Sequence, residues 1–74
     1  MQAQQLQDIL AKAFPNSIVK VSTPDEVHYQ AQVISAQFIN KSKVQQHRMV
    51  YQALDGLLES RIHALQLDTQ IPEE

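Results

Sequence analysis

Between Gln4 and Phe14 the apolar residues Leu6, Ile9, Leu10, Ala13 and Phe14 recur at spacings of one, three and four. That spacing puts them on one side of an α-helix, which should stop before Pro15-Asn16. Ser17-Ile18-Val19-Lys20-Val21-Ser22 is short and β-branched and predicts a strand. Thr23-Pro24-Asp25-Glu26 predicts a turn, with proline where its fixed φ fits the second position. From Val27 to Ser35 the pattern alternates. Val27, Tyr29, Ala31, Val33 and Ser35 fall on one face, and His28, Gln30, Gln32, Ile34 and Ala36 on the other. One face is the more apolar, as expected of a half-buried strand in a hairpin with the first.

Phe38 to Ser42 connects to a long helix expected from Lys43 to Glu59, with Gly56 a weak point near its end. Asn40 tolerates positive φ, and Ser42 can cap the free N–H groups of the helix. On the helical wheel Val44, His47, Val50, Tyr51, Leu54, Leu57 and Leu58 form one broad arc, with Gln45, Gln46, Arg48 and Gln52 mostly outside it. Ile62, Ala64, Leu65 and Leu67 predict a third strand, and Thr69 to Glu74 reads as a polar tail.

The order is α-β-β-α-β, or α-β-β-α-α-β if the helix breaks at Gly56. This is an α/β (α+β) chain with a three-stranded mixed sheet and helices on one face. The crossover through the long helix makes the third strand parallel to the second if they share a sheet. His28 and His63, each opening a strand, then lie at the same end of the sheet, one or two strand spacings of ~5 Å apart. Leu10, Val21, Val33, Val50, Leu54, Leu58 and Leu65 are the expected core.

Length narrows the choices: 74 residues make one small domain, 1–74, without room for a deep enclosed pocket. Cysteine is absent, which removes disulfides, thiolate metal sites and cysteine nucleophiles from the chain. The first eleven residues lack a basic stretch followed by an apolar one, so neither a signal peptide nor a membrane span is expected and a cytoplasmic setting is. The net charge of −2 argues against strong nonspecific affinity for nucleic acid. Against that balance, Lys41, Lys43 and Arg48 put three positive charges within eight residues. The twelve glutamines are scattered through periodic segments and read as uncharged surface.

Three histidines are the chemically distinctive residues. Neither HExxH nor CxxC occurs, and a His28/His63 pair is too small for a tight metal site within one chain, although it can complete one shared with a partner. Both histidines also have a plain reading as exposed residues at strand ends. His47 lies near the centre of the apolar arc, which favours a structural, mostly buried role, with ligation the alternative. Lys41, Lys43 and Arg48 form either a phosphate-binding patch or an ordinary solvated face, and Tyr51 is expected to pack. No Ser/His/Asp order, carboxylate pair or glycine-rich phosphate loop stands out, so an enzyme is not expected.

Phe38-Ile39-Asn40-Lys41-Ser42-Lys43-Val44-Gln45-Gln46-His47-Arg48-Met49-Val50-Tyr51 resembles the signature of the BolA family: Phe, a Gly-Lys-Ser-like loop, Val, Arg-His-Arg and Val-Tyr. His63-Ala64-Leu65 and the closing Pro72-Glu73 resemble its His-Ala-Leu segment and Thr-Pro-Glu tail, and His28-Tyr29 resembles its His-Phe strand start. The short form is also similar to the IbaG branch. The resemblance implies a class II KH-like fold and a role in iron–sulfur metabolism beside a monothiol glutaredoxin. A bridging [2Fe–2S] cluster would be shared with the glutaredoxin cysteine, glutathione, His63 and His28, the isolated chain holding none. Imidazole suits such a cluster, since it can replace thiolate on one iron.

The alternative the resemblance carries is a DNA-binding transcriptional regulator using Lys41, Lys43 and Arg48. Three phosphate contacts would give a salt slope of only about −3 on duplex DNA, unless a homodimer doubled the footprint. The loop lacks the GXXG clamp of KH modules. Asn40 stands where the family commonly has Gly, Ile71 where it has Thr, and Gln46 where it has the first Arg. The last departure removes a positive charge from the face expected to meet phosphate.

Overall fold

Leu6, Leu10 and Phe14 follow one another at the four-residue step that stacks side chains along a helix, and all three are buried. They lie on or just after α1 (Ala3–Ala13), while Ala13 itself is exposed. The structure, a computed structural model, describes residues 2–25, 28–54 and 64–72. After α1 come β1 (Ile18–Ser22), β2 (His28–Ile34), a short 3-10 turn (Ala36–Phe38), α2 (Lys43–Ala53) and β3 (Ala64–Gln70). Asn16 and Asn40 reverse the chain at φ values of 63° and 66°, where asparagine is tolerated better than most residues.

The sheet order is β1-β2-β3. β1 runs antiparallel to β2, with Ile18 opposite Ile34 and Ser22 opposite Gln30. β3 runs parallel to β2, with His28 opposite Ala64 and Ile34 opposite Gln70. β2 and β3 are thus direct neighbours, one strand spacing apart.

Alternation then divides the sheet. Tyr29, Ala31 and Val33 are buried on the face covered by Leu6 and Leu10 of α1 and by Val50 and Leu54 at α2, with Val19, Val21, Leu65 and Leu67 packed at its margins. Both helices therefore lie on one face. The opposite face is open and polar, crossed by Ser22, Gln30 and Gln66: the Ser22 hydroxyl donates to Gln30 at 3.4 Å, and the Gln30 amide to Gln66 at 3.3 Å.

Four expectations change. α2 is rotated by somewhat less than the ~100° of one residue relative to the expected arc. Val44 and Tyr51, expected inside, are 61% and 40% exposed, whereas Gln46, expected outside, is 4% exposed. His47, expected mostly buried, is half-buried at the edge of this seam. β3 continues through Thr69 and Gln70, and Thr69 is buried rather than part of a polar tail. Phe38, read as part of a connection, is a core residue whose ring meets that of Phe14 at 5.4 Å between centroids.

Val21 and Leu65 are partly buried against the core. Leu58, Gly56 and the continuation of α2 to Glu59 lie outside the described residues, as does Val27.

Candidate functional site

The turn between β1 and β2 holds His28 by three of its polar atoms. Asp25 Oδ1 accepts the His28 backbone N–H at 2.8 Å, and Asp25 Oδ2 lies 2.8 Å from His28 Nδ1. The Thr23 hydroxyl donates to the His28 carbonyl at 2.7 Å. An ionised carboxylate can only accept, so Nδ1 carries a proton, and in the neutral ring the lone pair is left on Nε2. Nε2 has no hydrogen-bond partner among the described residues.

The His28 side chain is 66% exposed and borders a shallow cleft of about 260 Å³ with Pro24, Tyr29, Gln30 and Gln66. Tyr29, 1% exposed, anchors the strand immediately behind it. His28 therefore combines a fixed ring with an accessible nitrogen.

The β2–β3 register sets His28 directly across from Ala64, the residue that follows His63 in the chain. His63 lies outside the described residues. Among the described residues no group of three His, Cys, Asp or Glu side chains could hold a metal ion. His28 offers one imidazole donor, a group that can replace thiolate on one iron of a cluster.

The basic residues lie elsewhere. Ser42 caps α2 by accepting the Gln45 N–H at 3.2 Å, and the Gln45 side chain accepts the Ser42 N–H at 2.9 Å. Lys41, Lys43 and Arg48 are all exposed. The Lys43 ammonium donates to the Thr69 carbonyl, across from Val33 and thus toward the far end of β2. At five residues along the strand, Val33 is ~16 Å from His28. Lys43 and Arg48 are five positions apart on α2, about 140° around the axis, so they do not share a face.

Gln46 is no part of the exposed helix face, so an arginine missing there is not a charge missing from that face. Its Oε1 accepts the Thr69 hydroxyl at 2.6 Å, and its Nε2 donates to the Lys41 carbonyl at 2.9 Å and toward that of Phe38 at 3.5 Å. The half-buried His47 ring meets Tyr51 edge-on, with centroids 6.5 Å apart. Among the described residues His47 and His28 share no hydrogen bond or ring contact. Sequence reading missed Asp25 and the Gln46–Thr69 pair. For Asp25 the available signal was its place in a turn three residues before a strand-opening histidine.

Comparison with known proteins places this geometry in context. The model of the BolA-like protein family matches residues 5–74. An uncharacterized protein of Rickettsia prowazekii is 35% identical over 69 residues, covering 90% of each chain. The DNA-binding transcriptional regulator BolA of Haemophilus influenzae is 45% identical over 49 residues, which are 66% of this chain and 48% of that protein. The BolA domain of SufE1 from Arabidopsis thaliana superposes with a TM-score of 0.85 at 26% identity, covering 95% of this chain and 91% of that one.

Proposed function

The chain belongs to the BolA-like protein family, and from that premise we propose that it is a non-catalytic partner of a monothiol glutaredoxin. In this reading His28 and His63 are ligands to a bridging [2Fe–2S] cluster, completed by the glutaredoxin cysteine and glutathione. The observation that carries it is His28: an exposed imidazole whose Nε2 is unengaged among the described residues, paired across the sheet with the residue that follows His63. When bound, the cluster supplies electron-transfer or cluster-delivery chemistry. This chain's part is to offer borderline nitrogen donors where a thiolate would otherwise sit. Likeness to the BolA domain of SufE1 supports the reading, because there the same fold serves as one module of a larger protein.

The test is reconstitution with a monothiol glutaredoxin, iron, sulfide and glutathione, followed by visible absorption and circular dichroism. His63→Ala and His28→Ala should each shift the charge-transfer bands and speed loss of the cluster. Spectra and complex formation identical to wild type in His63→Ala would remove His63 from the ligand set.

DNA binding is the second reading, favoured by the similarity to the Haemophilus influenzae regulator and by the exposed Lys41 and Arg48. It ranks lower because the Lys43 ammonium is engaged by Thr69 and Arg48 points away from Lys43. Submicromolar, sequence-selective binding to duplex DNA at physiological salt, abolished by Lys41→Glu/Lys43→Glu, would reverse the order. Weak binding that added salt removes would keep it.

A further inference from the structure

We propose that Asp25 is the positioning residue for His28: its carboxylate fixes the imidazole as the Nδ1–H tautomer and presents Nε2 as the metal-binding nitrogen. The inference rests on the reading of His28 as a ligand and deepens it. Both carboxylate oxygens are used on the same residue, one on the backbone N–H and one on the ring, each at 2.8 Å. A single contact would leave the ring free to turn about the bond joining it to the chain. Two contacts from one rigid, planar group, with Thr23 holding the carbonyl on the other side, tie ring and backbone to a common frame.

The two bonds also settle which nitrogen is available. In a neutral imidazole one nitrogen donates and the other accepts, and the partner of the first dictates the role of the second. Outer carboxylates that grip a ligating histidine in this way orient the ring and raise its basicity as a ligand. Asp25 touches His28 at both the backbone and the ring, so it acts on the site through the histidine.

Asp25→Asn separates positioning from the mere shape of the turn. The amide oxygen can still accept the backbone N–H and keep the turn, but the NH₂ group then faces Nδ1. A donor facing Nδ1 favours the lone pair there and moves the proton to Nε2, which blocks the ligating nitrogen. The first readout is the long-range ¹H–¹⁵N correlation of the imidazole in the protein without metal, at about pH 8.5, where an ordinary histidine is neutral. Wild type should show Nδ1 protonated and Asp25→Asn should shift the population to Nε2–H, with the backbone spectrum otherwise that of the folded protein.

The second readout is cluster retention in the glutaredoxin complex, which Asp25→Asn should weaken by roughly 10- to 100-fold. An unchanged tautomer in Asp25→Asn overturns the proposal. So does a switched tautomer with unchanged retention, provided His28→Ala does weaken it. If His28→Ala has no effect on the cluster, the ligand reading of His28 fails, and the positioning role fails with it. The tautomer data then stand alone as a property of the turn.

Discussion

Where Gln46 meets Thr69, a buried hydroxyl donates to a buried amide oxygen, and the amide nitrogen of the same glutamine serves the carbonyl of Lys41. One side chain thereby ties α2, the loop before it and β3 together. Gln46→Ala should leave the Thr69 hydroxyl unpaired in the interior and lower stability by ~1–3 kcal/mol, read from the urea unfolding midpoint. Gln46→Leu combined with Thr69→Val should recover part of that loss, since removing both partners costs less than stranding one. A Gln46→Ala variant unfolding at the wild-type midpoint would show that the pair contributes nothing. No periodicity could announce this contact. Hydropathy counts glutamine and threonine as surface, and their burial is decided by partners that are distant in the chain. The residues whose local geometry acts alone were legible: Asn40 takes its positive φ, and Ser42 caps α2.

At the scale of elements, Leu54 shows what the apolar face of α2 contributes. It closes the helix, is 0% exposed and joins Val50 against Tyr29, Ala31 and Val33. Leu54→Ala should cost ~2–5 kcal/mol and lower the denaturant midpoint accordingly, a large share of the stability of so small a domain. A midpoint equal to wild type would mean that the surrounding chain refills the space. The strands were read correctly in type and direction, because alternation in β2 and a helical crossover back to the starting end of the sheet are strong constraints, while the place of β3 directly beside β2 was left open. The face of α2 was misread because its seam includes a glutamine and its exposed side carries Val44 and Tyr51. A helix placed by apolar residues alone is drawn toward such exposed valine and tyrosine. The Phe38 core position was hidden for a different reason: a 3-10 turn has no long periodicity to reveal which residue points inward.

Across the whole molecule, the two candidate activities use different ends of one sheet. His28 stands where β2 begins, and Lys43 reaches the strand where β3 ends. Mutations at one end should therefore leave the other in place, and the variants proposed above can be interpreted separately. The placement of His28 at the same end of the sheet as the start of β3 was legible from topology, whereas their direct pairing was not. The grip of Asp25 on His28 was not legible either, because that depends on how Thr23 and Asp25 bend back on the strand.

The parallel pairing of β2 with β3 also orders events in time. Side chains that touch across it, Gln30 and Gln66, are 36 positions apart in the chain. A hairpin such as β1–β2 closes over a short loop, but this pairing must close a loop spanning the whole of α2, at a greater entropic cost. During synthesis the clasped His28 can form as soon as its own turn has emerged, whereas its neighbour across the sheet arrives only with the last strand. In the proposed reading, a site that uses both His28 and His63 is complete only when the sheet is, and a chain stalled before β3 holds His28 without its neighbour across the sheet.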